Sequence, residues 1–240
     1  MAEIQKPQSD KARLSLLSDS KETQEQEVAR GKSYLSRSTV GAIHTFLPEY
    51  ESAINDVNTK MGQRSQEVTE KNESMNVLKT YVRDGWEVTK RRITRQNEPA
   101  NVYTYYHLSI NGMVPKPASN TDWLKMAAAV IEGDAKAVTK GFPAMINPSA
   151  EELALALEKA RKEKSDVAMA DRDYDESQAA VEKLRTKADE LIQDVLDELR
   201  FNLRKLDDSS ARRIMRSYGV TYKYLPGEPV DEIVDETIQN

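Results

Sequence analysis

Residues 149–218 read SAEELALALEKARKEKSDVAMADRDYDESQAAVEKLRTKADELIQDVLDELRFNLRKLDDSSARRIMRSY, 70 residues without a Gly or a Pro. Apolar residues recur in it by alternating steps of four and three: Leu153, Leu157, Ala160 and Val167, then Val181, Leu184, Ala188, Leu191 and Val195. That spacing is the seam of a long helix packed along another. The middle of the seam is polar, with Lys164, Asp171, Tyr174 and Gln178. A second stripe, Ile192, Leu196, Leu199, Leu203 and Leu206, begins beside the first. Two stripes mean more than one buried face, as in a bundle. Ser149 followed by Glu152 is a capping-box pattern that starts this helix.

The same spacing occurs upstream. Tyr50, Ile54, Val57, Met61, Arg64, Val68, Lys71, Met75, Leu78 and Val82 again alternate by four and three. Arg64 and Lys71 are charged, so this seam is expected to be weak in its middle or to face acids there. Pro48 is placed at the start of that helix, where its missing N–H costs nothing. Arg91, Arg92 and Arg95 fall in its last turns, where cations complement the helix dipole. The expected fold is therefore all-α: an elongated antiparallel helical bundle or coiled coil of long helices.

The chain divides on these signals into a polar N-terminal tail (1–18), a first helical arm (19–98) and a connector with a short helix (99–148). A second long arm (149–218) and an extended segment with an acidic tail (219–240) complete it. The first arm carries Gly31 and Gly41 before Pro48, which weaken the helical pattern there. The connector helix is expected to be capped by Asn120 or Thr121 and to run through Trp123 and Ile131. Trp86 and Trp123 read as packing anchors that meet if the connector folds back over the first arm. The final tail, 225–240, holds five acids and no base, so it is expected to be mobile or to dock on a basic surface.

Both arms run into Arg-Arg-Ile-x-Arg, at 91–95 and 212–216, and each motif is followed by tyrosines, VYTYY and VTYKY. An internal duplication and chance account for this equally, since basic helix ends are common. The tyrosine segments suit strands and could pair as a small antiparallel ribbon.

Composition narrows function more by exclusion. The 240 residues carry a net charge of -5 and no cysteine. Disulfides, thiol catalysis and Cys-based metal sites are out. The acidic balance argues against nucleic acid as the main partner. No apolar run is long enough for a membrane span, and no signal peptide is evident, so a cytoplasmic location is expected. No phosphate-binding glycine loop, GxSxG or HExxH is present. Asp171 to Glu182 has acids at some positions of a calcium loop but Glu176 where glycine is needed, so it reads as a solvated helix face. His44 and His107 are the only histidines, and neither sits in a Glu-x-x-His pair.

The expectation is thus a structural or scaffolding protein, not an enzyme, with no cofactor and no metal. It would act through helix–helix contacts with protein partners and as a homo-oligomer. The expected interface is Leu196, Leu199 and Leu203 with Tyr103, Tyr105, Tyr222 and Tyr224. The first alternative is nucleic-acid binding through Arg91, Arg92, Arg95, Arg212, Arg213 and Arg216. The second is a metal-binding helical bundle.

Overall fold

The computed structural model describes residues 3–224. Among them the fold is all-α, with six helices and one two-stranded sheet. The helices are α1 (Asp10–Ala29), α2 (Arg37–Gln96), α3 (Val102–Tyr105), α4 (Asn120–Thr139), α5 (Ala150–Leu203) and α6 (Asp208–Ser217). The strands are β1 (Glu3–Gln5) and β2 (Thr221–Lys223), antiparallel with Ile4 opposite Tyr222. The chain forms two units: residues 3–59 with 175–224, and Lys60–Tyr174. Helices α2 and α5 contribute a segment to each.

Several boundaries differ from the sequence reading. Helix α1 starts at Asp10, capped by the Ser9 side chain, so Leu16 and Leu17 belong to a core rather than a tail. Gly31, at a φ of +77°, takes the left-handed turn that ends α1. Helix α2 then begins at Arg37 and continues through both Gly41 and Pro48. Pro48 lies on an exposed face, where water can take the one carbonyl it leaves unbonded. The start of α2 is fixed from outside: Glu198 accepts from the Ser36 backbone N–H at 2.5 Å and from the Thr39 hydroxyl at 2.6 Å. A carboxylate there meets the positive end of the helix dipole.

The second arm is not one helix. Helix α5 stops at Leu203, and α6 starts afresh with Asp207, whose side chain accepts from Ser210 N at 2.9 Å. Asp and Ser compete for backbone hydrogen bonds, so an Asp-Asp-Ser-Ser run ends a helix without Gly or Pro. The capping box at Ser149 and Glu152 is present, with reciprocal bonds of 2.8 and 3.1 Å. Helix α4 is capped one residue earlier than expected, by Ser119 with Asp122.

In the first unit the core joins Leu16 and Leu17 of α1, Ile43, Phe46 and Tyr50 of α2, and Ile192, Leu196, Leu199 and Leu203 of α5. Met215, Tyr218 and Val220 close it. A polar knot ties its elements. Arg185 donates to both oxygens of Asp10 at 2.7 and 2.8 Å, and Tyr50 donates to Asp10 at 2.8 Å. The Arg185 hydrogen bond holds the Asp10 carboxyl below its ordinary range, against the opposing effect of burial.

In the second unit Trp86 and Trp123 do meet, with ring centroids 6.1 Å apart. The Trp86 indole donates to the Tyr106 carbonyl at 2.9 Å. Gly133 of α4 sits so close to α3 that a Cβ there would lie 1.6 Å from the Tyr105 carbonyl oxygen. Buried Asp134 accepts from the Tyr106 hydroxyl and from Met145 N, both at 2.7 Å. Burial pushes the Tyr106 hydroxyl up to about 12. Arg92 and Glu98 form an ion pair of 3.3 Å with both side chains nearly covered.

The polar middle of the two seams is matched here. Arg64 of α2 meets Asp171 of α5 at 2.5 Å, and Lys60 meets Asp173 at 3.5 Å. Numbers rise along one helix as they fall along the other, so α2 and α5 run antiparallel in this unit. Acids facing Arg64 are what a charged seam position required.

Candidate functional site

A concave feature with apolar lining lies in the first unit, where α1 hands over to α2. It is an open groove of about 810 Å³ lined by Val28, Leu35 and Val40, with Gly31 and Gly41 beside them. Its rim carries Glu25, Lys32, Arg37 and His44. Val28 is 55% exposed. A Cβ at Gly31 or Gly41 would touch nothing within 4 Å, so both glycines face open space.

The groove is held open by Gln24, which is buried. Its Oε1 accepts from Tyr34 N at 3.2 Å, Leu35 N at 3.0 Å and the Tyr218 hydroxyl at 2.8 Å. Its Nε2 donates to the Ser33 hydroxyl at 2.9 Å. One amide thus fixes the 30–36 turn and the end of α6 together. Burial drives the Tyr218 hydroxyl well above the ordinary tyrosine range. Nothing in the sequence marks Gln24, because a glutamine inside a polar helix carries no pattern.

The expected interface stripe is placed differently. Leu196, Leu199 and Leu203 are covered by α1 and α2 in the core of the first unit. A stripe already packed by its own chain is not a free surface, and this corrects its reading as an oligomer contact. The tyrosines divide. Tyr103 and Tyr105 belong to α3 and its packing, a helical turn where a strand was expected. Tyr222 lies in β2, paired with β1 and not with the first tyrosine segment, and its hydroxyl donates to Met215 Sδ at 3.1 Å. The tyrosine ribbon is therefore not formed. Tyr224 is half-buried, in contact with Arg216.

The arginines are also partly committed. Arg92 donates to the Pro143 carbonyl at 2.6 Å and stacks over Tyr106 at 5.6 Å. Arg91 and Arg95 are exposed beside a second cleft near Pro143 and Ile146. Arg216 stacks between Tyr222 and Tyr224, 5.5 and 5.8 Å from their ring centres. Arg212 is half-buried and Arg213 exposed. In both motifs the central isoleucine packs inward, Ile93 in one core and Ile214 against the other. The likeness of the two Arg-Arg-Ile-x-Arg motifs is thus a likeness of packing, with an arginine laid on tyrosine beside each.

Asp171 to Glu182 is helical throughout, and Asp171 and Asp173 are paired with cations. His44 is exposed on the groove rim, and His107 is exposed past α3 with a φ of +58°. No described helix is long and apolar enough to cross a membrane. The acidic tail, 225–240, lies outside the described residues. Compared with known proteins, the chain matches no family model, no curated protein and no solved structure.

Proposed function

We propose that this protein is a scaffold that self-associates through the α1–α2 groove and carries out no reaction of its own. The observation that carries the reading is exposed Val28 beside Val40 in an open groove. Exposed apolar surface in a concavity marks an interaction site. The occupant is the acidic segment 228–238 of a second copy. Its apolar residues Val230, Ile233, Val234 and Ile238 have the spacing of one helical face. Its acids Glu228, Asp231, Glu232, Asp235 and Glu236 complement Lys32 and Arg37 on the rim. A cytoplasmic location belongs to the same proposal.

Light scattering tests it with three proteins: the full chain, a chain ending at Tyr224, and Val28→Asp. The full chain is expected to exceed its 27.2 kDa monomer mass as concentration rises, and both variants to stay monomeric. Equal masses for all three would overturn the proposal.

A further inference from the structure

In the second unit, near the polar middle of the α2–α5 pair, three carboxylates converge. Glu67 of α2 and Glu163 and Asp166 of α5 each bring an oxygen within 4.8 Å of the other two. Residues 163 and 166 are one turn apart on the same helix face, and Glu67 approaches from the opposing helix.

Acids crowd many helix surfaces, and most such groups hold nothing. Glu163 separates this one from the rest. It is only 6% exposed, yet among the described residues it has no hydrogen bond and no ion pair. A carboxylate on a side chain so nearly covered, with no donor to it, is disfavoured. Three cations of the same α2–α5 stretch are engaged elsewhere. Lys164 bonds Thr121 at 3.3 Å, Arg64 meets Asp171, and Lys60 meets Asp173. Lys162 reaches Asp166 at 3.5 Å from an exposed position. Glu70 adds a further negative charge nearby and takes its hydrogen bond from Gln66 at 2.8 Å. Among the described residues, Glu163 itself has no cation paired with it.

We propose that Glu67, Glu163 and Asp166 bind one hard divalent cation that clamps α2 to α5. The donors are all carboxylate oxygens, with no imidazole or thiolate among them, which selects calcium, magnesium or manganese over zinc or copper. Glu67 and Asp166 are half-buried rather than enclosed, leaving room for the water ligands such ions keep. The cation neutralises Glu163 and turns a repulsive step in the seam into a cross-link between the two helices.

The probe is manganese, titrated into the full chain and read by loss of the free-ion electron paramagnetic resonance signal, with calcium as competitor. One saturable ion per chain is expected, roughly tenfold or more weaker in Glu163→Gln and unchanged in Glu158→Gln, an exposed acid on α5. Melting supplies a second reading with opposite signs. In EDTA, Glu163→Gln is expected to melt above the wild type, because it removes a buried repulsive charge. In manganese the order is expected to reverse. The proposal is overturned by no saturable binding up to about 1 mM, or by several equivalent weak sites. Equal binding in Glu163→Gln, or a variant that melts at or below the wild type in EDTA, would also overturn it.

Discussion

Two glycine-to-alanine substitutions in the second unit should move stability in opposite directions. Gly62 lies inside α2, and a Cβ built there touches nothing within 4 Å. Alanine is favoured over glycine by about 1 kcal/mol in a helix interior, so Gly62→Ala should stabilise by about that amount. Gly133 also lies inside a helix, α4, and propensity alone gives the same gain. There, however, the new Cβ falls 1.6 Å from the Tyr105 carbonyl oxygen, against a floor of 3.0 Å for real contacts. The obstacle is backbone, so no rotamer change relieves it, and α3 and α4 must separate by about 1.4 Å. That breaks the packing of Val102 and Tyr106 on α4. Overpacking of this kind costs about 1–3 kcal/mol and sometimes more. With backbone on both sides the upper end applies, for a net loss of about 2 kcal/mol after the propensity gain. For a chain of this size 1 kcal/mol is about 2–4 °C in Tm. Both tryptophans, Trp86 and Trp123, lie in the second unit, so urea unfolding followed by tryptophan fluorescence reports that unit directly. A Gly133→Ala protein as stable as the wild type would refute the close approach of α3 and α4. A destabilised Gly62→Ala would refute the continuity of α2.

Other outcomes follow from the same packing. Glu98→Ala leaves Arg92 nearly buried without its carboxylate, and should cost about 3–5 kcal/mol in the fluorescence-detected transition. Leu199→Ala, at a fully buried site in the first unit, should cost about 2–5 kcal/mol, seen as a lower circular-dichroism midpoint with no change in oligomeric mass. Asp10 has a folded pKa below its unfolded one, so its contribution is present above about pH 4 and lost as pH falls through the folded value. The stability gap between wild type and Asp10→Asn, measured by urea titration, should therefore be large at pH 7 and close toward pH 3.

The long-range plan of the fold was legible because it rests on period alone. The four-and-three spacing from Tyr50 to Val82 and from Leu153 to Val195 marks the helices that pack. The charged seam was expected to be weak in its middle or to face acids, and Arg64 meets Asp171. Ends of elements were harder to read. Leu14, Leu16 and Leu17 are too few to announce a helix, and only the surrounding core explains α1. Gly41 read as weakening the helix and Pro48 as starting one, yet packing of Ile43, Phe46 and Tyr50 carries α2 through both. The Asp207 cap read as part of a helix because polar residues there continue the pattern without a breaker. Ile192, Leu196, Leu199 and Leu203 of the second stripe are buried, while Leu206 lies past the end of α5 and is exposed, and a sequence does not say whose surface covers a stripe. The groove and the carboxylate cluster depend on residues far apart in the chain, Gln24 with Tyr218 and Glu67 with Glu163, and no local signal joins them.

The central claim is that the α2 and α5 seams close on each other within one chain, with Arg64 opposite Asp171. The chain has no cysteine, so Arg64→Cys with Asp171→Cys offers a single pair to a short bis-maleimide cross-linker. Mass spectrometry and denaturing gels of the product at low protein concentration then decide the point. The account predicts one chain carrying one internal cross-link. Cross-linked dimers without the internal product would contradict it, because the two seams would then be pairing between chains.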